Sequence, residues 1–433
     1  MNLSTIKSKL SSLLRKDLAR NTLWLLLGKL LRIVMQAGYF IIVARTLGAQ
    51  NYGSFVSVTA LSTLAFPFVG LGSEHILIKY VSHDKNLFSL YWGNTLVTLF
   101  VSGAFFTAVL LLLSPLIFAD NISLLSIFLI FIANLIFLSL SDFSRKALIS
   151  VDRVKQAVKL GILEICIKLI AAFSLSIFFS QPTVNTWAAL FLISSVIVSG
   201  ISVFTVIKLI GYPKPVLSKL KLIIQEGIYF SISSSADNIN SNLDKIMLAS
   251  MSTLTATGIY GSAARFISVG NLLLVSIFGA SYTRFFKHGA SGIRGSLKFA
   301  KRLLPVVILY GVVSLLGYLV FAPFLPTILG EEYRNAIEAL RWLAPLPAIA
   351  GLQHLAANTL IGAGHQKARS VVQVTSALLN IGLNFWLIPL YGWKGAAGAT
   401  LISDSLRLIF VWLIVIWLTR RAVKQERILG QKL

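Results

Sequence analysis

The sequence predicts an all-α integral membrane protein of about twelve transmembrane helices in two parallel halves, with both termini cytoplasmic. Three observations predict it: an extreme apolar composition, long uncharged runs between polar connections, and basic residues crowded onto alternate connections. The 433 residues are 56% hydrophobic and 12% charged, with a mean hydropathy of +0.82. Soluble chains carry about 25% charge, so the solvent of this chain is a bilayer. A span with its connection takes roughly 30 to 35 residues, which leaves no room for a large soluble domain. A net charge of +24 would suggest nucleic acid in a soluble protein. Here most Lys and Arg sit between apolar runs, where topology and the anionic headgroups of membrane lipids account for them, and no nucleic-acid partner is expected.

Residues 1–20 alternate Ser, Lys, Arg and Leu and lack a small-residue cleavage site after the apolar run that follows. They read as a cytoplasmic amphipathic segment lying on the membrane surface. Spans one to six, in an N-lobe of residues 21–211, are expected to start near Asn21, Tyr52, Phe88, Ile122, Lys159 and Thr183. The most polar connection, Gly211-Tyr212-Pro213-Lys214-Pro215, places an inter-lobe linker at 212–221. Spans seven to twelve, in a C-lobe of residues 222–419, start near Leu222, Thr257, Leu303, Ala336, Ala368 and Trp393, and a basic cytoplasmic tail occupies 420–433. Membrane strands are a poor alternative, because the runs are about twice the length a strand needs and do not alternate.

Orientation follows from the cations, since Lys and Arg resist translocation while acids matter little. One set of connections, from Lys7 and Arg15 through Arg145, Lys146, Arg153 and Lys155 to Arg284, Lys298, Arg420 and Lys432, holds roughly 29 basic residues; the opposite set holds about four, Arg45, Arg334, Arg341 and Lys394. Both ends then lie on the cytoplasmic side, which requires an even number of spans. The outer segment Asn51-Tyr52-Gly53-Ser54 is echoed by Ile259-Tyr260-Gly261-Ser262, half a chain later. Because the echo joins spans an even number of crossings apart, the halves are parallel, related by an axis along the membrane normal.

Polar side chains inside spans carry the functional argument, since a charge at the bilayer centre costs at least about 2.5 kcal/mol and must face a cavity or a partner. Lys29, Arg32, Gln36 and Tyr39 recur at helical spacing along one face of the first span, with two cations and no acid. Lys29 can also snorkel to the interface; Arg32, one turn deeper, suits a cavity better. In the seventh span Ser233, Asp237, Asn240 and Asp244 share a face too polar for lipid, and are expected to line a water-filled cavity. Lys245 either joins them or neutralises a neighbouring acid. Arg265, in the eighth span, has no acid one turn away, so its partner is a carboxylate from another helix or a bound phosphate or acidic sugar. Glu164 with Lys168, and Asp404 with Arg407, are spaced to pair within their own helices. Asp142, near a cytoplasmic end, receives no role. Asp237, Asp244 and Glu164 are the acids within spans that are candidates for taking up H+ or Na+.

Cys166 lies alone in an apolar run, so no internal disulfide is available. The histidines His75, His83, His288, His354 and His365 lack metal-ligand spacing, and neither a metal nor a cofactor is expected. There is no nucleophile signature or phosphate loop, and hence no catalytic residue to name.

Three stretches point to a family: Ala44-Arg45-Thr46-Leu47-Gly48-Ala49-Gln50-Asn51-Tyr52-Gly53; Asp244-Lys245-Ile246-Met247 followed by Gly258-Ile259-Tyr260-Gly261-Ser262-Ala263-Ala264-Arg265; and Ile388-Pro389-Leu390-Tyr391-Gly392-Trp393-Lys394-Gly395-Ala396-Ala397-Gly398-Ala399-Thr400, preceded by Asn380 and Asn384. In order and spacing they resemble the Wzx-type polysaccharide flippases of the multidrug/oligosaccharidyl-lipid/polysaccharide (MOP) exporter superfamily. The resemblance implies a MATE-like fold, two six-helix lobes around a central cavity that opens alternately to cytoplasm and periplasm. It also implies a bacterial inner-membrane location and a substrate, undecaprenyl-pyrophosphate-linked oligosaccharide for O-antigen, capsule or a related glycan, with glycan polymerases as onward partners. Cations in such cavities hold the pyrophosphate or acidic sugars; Arg32 and Arg265, assisted by Lys29 and Lys245, suit that role here, while Arg45 falls at the periplasmic rim.

Three functions compete. A flippase moves the headgroup and breaks no covalent bond. A cation-coupled multidrug exporter of the same superfamily needs accessible acids, against which a cavity rich in Lys and Arg counts. A membrane glycan polymerase or ligase is an enzyme with a long periplasmic loop, and no outer connection here is long.

Overall fold

The computed structural model describes the backbone of residues 3–119 and 121–430, and side chains from residue 31 to 424 except at 120, 233, 234, 236, 237, 239 and 240. Lys29, Ser233, Asp237 and Asn240 therefore lie outside the described side chains. Among the described residues the chain is helical and has no strand. A helix satisfies every backbone N–H and C=O within its own segment, which lipid cannot do for it.

In chain order the helices are α1 (Leu3–Ala65), α2 (Ser73–Val81), α3 (Phe88–Phe118), α4 (Leu124–Phe131), α5 (Ser139–Ser150), α6 (Val154–Phe178), α7 (Val184–Leu209), α8 (Leu220–Met251), α9 (Leu254–Gly289), α10 (Ile293–Phe321), α11 (Leu325–Leu329), α12 (Ala336–Leu343), α13 (Leu346–Gly362), α14 (Gln366–Tyr391) and α15 (Trp393–Gly430). Nine segments among the described residues are long and apolar enough to cross a membrane, and the chain is a multi-pass membrane protein. Starts of α3, α4, α7, α8, α9 and α15 fall within three residues of the expected positions. α10 begins well before Leu303, because Arg294, Lys298, Lys301 and Arg302 continue the helix beyond its apolar stretch. The expected span from Ala336 is two helices instead, divided at Ala344 and Pro345, where proline removes a backbone donor. α1 runs through both of the first two expected spans and breaks at Gly48, whose φ of 72° and ψ of 172° leave the helix.

Contacts divide the chain into two compact units. The first contains Met1–Leu47 and Ser54–Ile246; the second contains Gly48–Gly53 and Met247–Leu433. The segment 212–221, expected as an inter-lobe linker, is stitched into the first unit: Asn94 Nδ2 donates to Val216 O at 3.1 Å, its Oδ1 accepts from Val216 N at 2.9 Å, and Lys214 N donates to Ser89 O at 2.8 Å. A Cβ on Gly93 would lie 2.4 Å from Pro215 N, so this close approach requires glycine. α8 belongs to the first unit as well, as far as Ile246.

Inside the first unit Phe55 meets Trp187 edge-on at 5.7 Å and Phe191 at 5.3 Å, with Trp92 and Trp187 fully buried. The large apolar side chains of α3, Leu112 and Leu116, are about as exposed as side chains can be, at 79% and 83%. Lipid tails are as apolar as leucine, so burial does not drive helices together here, and small residues that allow close approach do. Ser141 and Ser202 hydroxyls meet at 3.2 Å, and Ser102 Oγ accepts the Gly70 N–H at 2.7 Å. In the second unit Leu274, Phe278, Phe285, Phe299, Val307 and Leu355 form one apolar core. Ile293, Ala356, Leu360, Val372, Val411 and Val415 form another.

The two echo regions lie against each other in the second unit. A Cβ on Gly258 would sit 1.9 Å from Ala49 O, and one on Gly53 would sit 1.8 Å from Leu254 O. Backbone touches backbone at this crossing, which only glycine permits.

Candidate functional site

α6 carries Glu164 and Lys168 four residues apart, so both project from one face and Lys168 Nζ lies 2.8 Å from Glu164 Oε1. The expected pair therefore exists, but it is one edge of a larger lattice. Glu164 Oε2 also receives Arg145 NH1 from α5, and Arg32 NH2 from α1 approaches it to 3.9 Å. Arg145 extends to Asp142 Oδ1 at 2.8 Å, one turn back along α5. Lys146 joins Asp142 Oδ2 at 3.2 Å to Glu74 Oε1 of α2 at 3.5 Å, and His75 Nε2 lies 3.5 Å from the same Glu74 oxygen.

Four cations thus interlock with three carboxylates across α1, α2, α5 and α6, with Glu74 and Glu164 buried. Isolated, each charge would be expensive inside a membrane; shared, both oxygens of Asp142 and of Glu164 and Oε1 of Glu74 meet cations, while the buried Glu74 Oε2 has no hydrogen-bond partner, and the lattice pins four helices. The cations are not held equally. Arg145 also contacts Asp142 and the Ser141 hydroxyl, Lys146 has two carboxylates and the Phe143 ring, and Lys168 stands over the Phe191 ring. Their side chains are 13–25% exposed, whereas that of Arg32 is 43% exposed and has Glu164 as its single ion-pair partner among the described residues. Gly161, one turn before Glu164, faces both guanidinium-bearing side chains: its Cβ would lie at ordinary contact distance, 3.7 Å from Arg32 NH1 and 3.8 Å from Arg145 Cδ.

The remaining expected site residues fall as follows. Gln36 is half-buried, and the Tyr39 ring tilts against Trp187 at 5.9 Å. Asp244 is buried, with Lys245 Nζ 3.5 Å from its Oδ1, and Lys245 also donates to Ser241 O. Arg265, half-buried on α9, has no carboxylate at ion-pairing distance among the described residues, and its charge is felt by Tyr52. The Tyr52 ring meets the buried Tyr333 ring at 6.5 Å. Burial pushes the Tyr333 hydroxyl well above its usual range, with the charge environment of Tyr52 and Glu332 adding to it, so this group stays neutral. Asp404 and Arg407 pair at 3.2 Å as expected. Arg407 Nε additionally donates to Gln353 Oε1 at 2.9 Å, and Asn380 bridges Ser403 Oγ at 3.0 Å and Asn384 Nδ2 at 2.9 Å.

Sequence reasoning missed Glu74, left Asp142 without a role and assigned Arg145 and Lys146 to a cytoplasmic connection. The spacing of Asp142 to Arg145 and Lys146, three and four residues, was the available signal. Gln353 and Glu332 gave none, because their partners lie on distant segments. No three His, Cys, Asp or Glu among the described residues gather where they could hold a metal ion.

Residues 18–288 match the family described as "Polysaccharide biosynthesis protein". The chain belongs to this family. A curated relative, the "Putative O-antigen transporter" of Escherichia coli (strain K12), is 24% identical over 412 residues, spanning 91% of this chain and 97% of the relative. Among solved structures, an inward-facing multidrug resistance MATE family transporter of the MOP superfamily is similar with a TM-score of 0.71, at 13% identity, over 90% of this chain and 96% of that one. The lipid II flippase MurJ, in an inward closed conformation, is similar with a TM-score of 0.67, at 12% identity, over 90% of this chain and 86% of that one. At such identities the two structures establish the MOP fold for this polysaccharide biosynthesis protein. They do not transfer a substrate.

Proposed function

We propose that this protein is a flippase that carries undecaprenyl-pyrophosphate-linked oligosaccharide, a repeat unit of O-antigen, capsule or a related glycan, from the cytoplasmic to the outer leaflet by alternating access. The observation that carries the reading is a half-exposed cation, Arg32, in a helix apolar enough to cross a membrane and at the open end of a lattice with more cations than carboxylates, in a chain of the polysaccharide biosynthesis family. Such a lattice suits a phosphate or acidic sugar and repels a cationic drug. Arg265 offers a second guanidinium on the other unit. The polyprenyl tail stays in the bilayer while the headgroup crosses, so no covalent bond changes, and differential binding of the loaded and empty states biases the exchange. The location is the bacterial inner membrane, with twelve spans and both termini cytoplasmic, and glycan polymerases receive the product. Asp244 is a better candidate than Glu164 for any coupled H+ or Na+, because Glu164 is already compensated by three cations.

The test is transfer of a fluorescent polyprenyl-pyrophosphate-linked glycan in proteoliposomes. Wild type should transfer it, Arg32→Ala and Arg265→Ala should insert normally but transfer less, and the Arg→Lys variants should be milder. Absence of transfer together with proton- or sodium-driven efflux of cationic dyes would make the protein a multidrug exporter.

A further inference from the structure

We infer that Glu164 is a built-in stand-in for the ligand's phosphate: in the empty transporter it holds Arg32 in place, and a pyrophosphate ester takes Arg32 over without leaving Glu164 unpaired. The inference rests on the flippase reading and adds to it how the site is kept intact between ligands.

The geometry is specific on three points. First, Arg32 is the loosest member of the lattice. Its 3.9 Å approach to Glu164 Oε2 is longer than the 2.8 Å of Lys168 to Oε1, and that same Oε2 already accepts from Arg145. Second, the exchange leaves no uncompensated carboxylate. When Arg32 departs, Arg145 and Lys168 remain on Glu164, and both are anchored elsewhere, Arg145 by Asp142 and Lys168 by the Phe191 ring. Removing any other cation would strip a carboxylate of a close donor, which is costly in low dielectric. Third, the Arg32 side chain is 43% exposed, whereas those of Arg145, Lys146 and Lys168 are 13–25% exposed, so an incoming ligand reaches the Arg32 guanidinium first. A guanidinium prefers a bidentate phosphate contact to a single long carboxylate contact. With one carboxylate fewer than cations, the lattice has a net positive charge that attracts an incoming phosphate anion.

Glu164 is therefore a positioning residue that competes with the ligand, and its neutralisation should tighten binding. The probes are farnesyl pyrophosphate, inorganic pyrophosphate and phosphatidylglycerol vesicles, each added to the full-length protein in neutral-lipid nanodiscs. Arg32→Ala should weaken farnesyl pyrophosphate binding about tenfold or more, in keeping with a lost charge-assisted bond of roughly 1.5 kcal/mol. Glu164→Gln should tighten it severalfold, and Arg32→Ala/Glu164→Gln should bind as weakly as Arg32→Ala. A purely structural Glu164 would weaken binding or leave it unchanged, and either result overturns the inference. Should Glu164→Gln fail to fold, the wild type decides: phenylglyoxal should modify Arg32 in preference to Arg145, and farnesyl pyrophosphate should protect it, as read by peptide mass spectrometry. Protection by inorganic pyrophosphate as well would confirm the headgroup as the ligand. Equal labelling with and without farnesyl pyrophosphate, or protection by phosphatidylglycerol alone, overturns the inference. Glycan transfer by a protein whose Arg32 is not protected would sink this inference and keep the flippase; protection without glycan transfer would do the reverse.

Discussion

Glu332 Oε2 accepts a hydrogen bond from the Ala49 backbone N–H at 2.8 Å, across 283 residues of sequence. α1 breaks at Gly48, so the helical segment that follows starts with unpaired N–H groups, and a carboxylate at a helix start both satisfies one and meets the positive end of the dipole. This contact lies wholly within the second unit, together with the Gly53 and Gly258 crossing, and it fastens six residues of the first helix to that unit.

Replacement of Glu332 by Ala removes this cap and should cost about 1 kcal/mol, visible as a lower thermal midpoint in detergent. Gly48→Ala should cost more, because φ is +72° and the new Cβ would lie 2.6 Å from the Glu332 carboxylate. An unchanged midpoint in both variants would show that the break tolerates any residue and needs no cap.

Gly258→Ala places a methyl 1.9 Å from a backbone oxygen that has no rotamer with which to escape. The helices must separate, at about 1–3 kcal/mol, and glycan transfer should fall with stability. Gly279→Ala on the same helix meets nothing within 4 Å and should be neutral or slightly stabilising. Equal behaviour of the two variants in a thermal-shift assay would refute the close crossing.

Arg145→Ala leaves Glu164 and Asp142 each short of a close donor inside the membrane, and the expected loss is about 3 kcal/mol, with poor expression as its sign. Arg145→Lys should recover part of it, since one ammonium cannot span both carboxylates as the guanidinium does. By contrast Arg32→Ala should leave the fold intact, because Glu164 retains two partners. Comparable instability of the Arg32 and Arg145 variants in fluorescence-detected size exclusion would contradict the unequal lattice.

At the start of α8, Glu226 accepts from Lys79 Nζ at 2.8 Å and from the Tyr80 hydroxyl at 3.0 Å, but Lys79 and Glu226 are 53% and 31% exposed. Glu226→Gln should therefore change stability by less than about 1 kcal/mol, with the difference fading at high salt. Gly227→Ala next to it should be far worse, since its Cβ would lie 2.3 Å from Leu71 O. A larger effect from Glu226 than from Gly227 would mean that charge, and not backbone contact, holds α8 on the first unit.

The membrane class, the helix starts near Phe88, Ile122, Thr183, Leu222, Thr257 and Trp393, and the internal pairs Glu164 with Lys168 and Asp404 with Arg407 were legible in the sequence. Hydropathy and the i, i+4 repeat are properties of a single segment and need no knowledge of its neighbours. Arg32 stood out for the same reason, as a cation in an apolar helix without an acid beside it. Its partner did not, because which carboxylate it reaches depends on how α1 and α6 are packed. Tertiary structure alone decided that Glu74 and Asp142 complete the lattice, that residues 212–221 are bound to α3, and that Glu332 caps a helix broken at Gly48. Each of these joins segments far apart in the chain, and a sequence read one helix at a time contains the groups but not the distances between them.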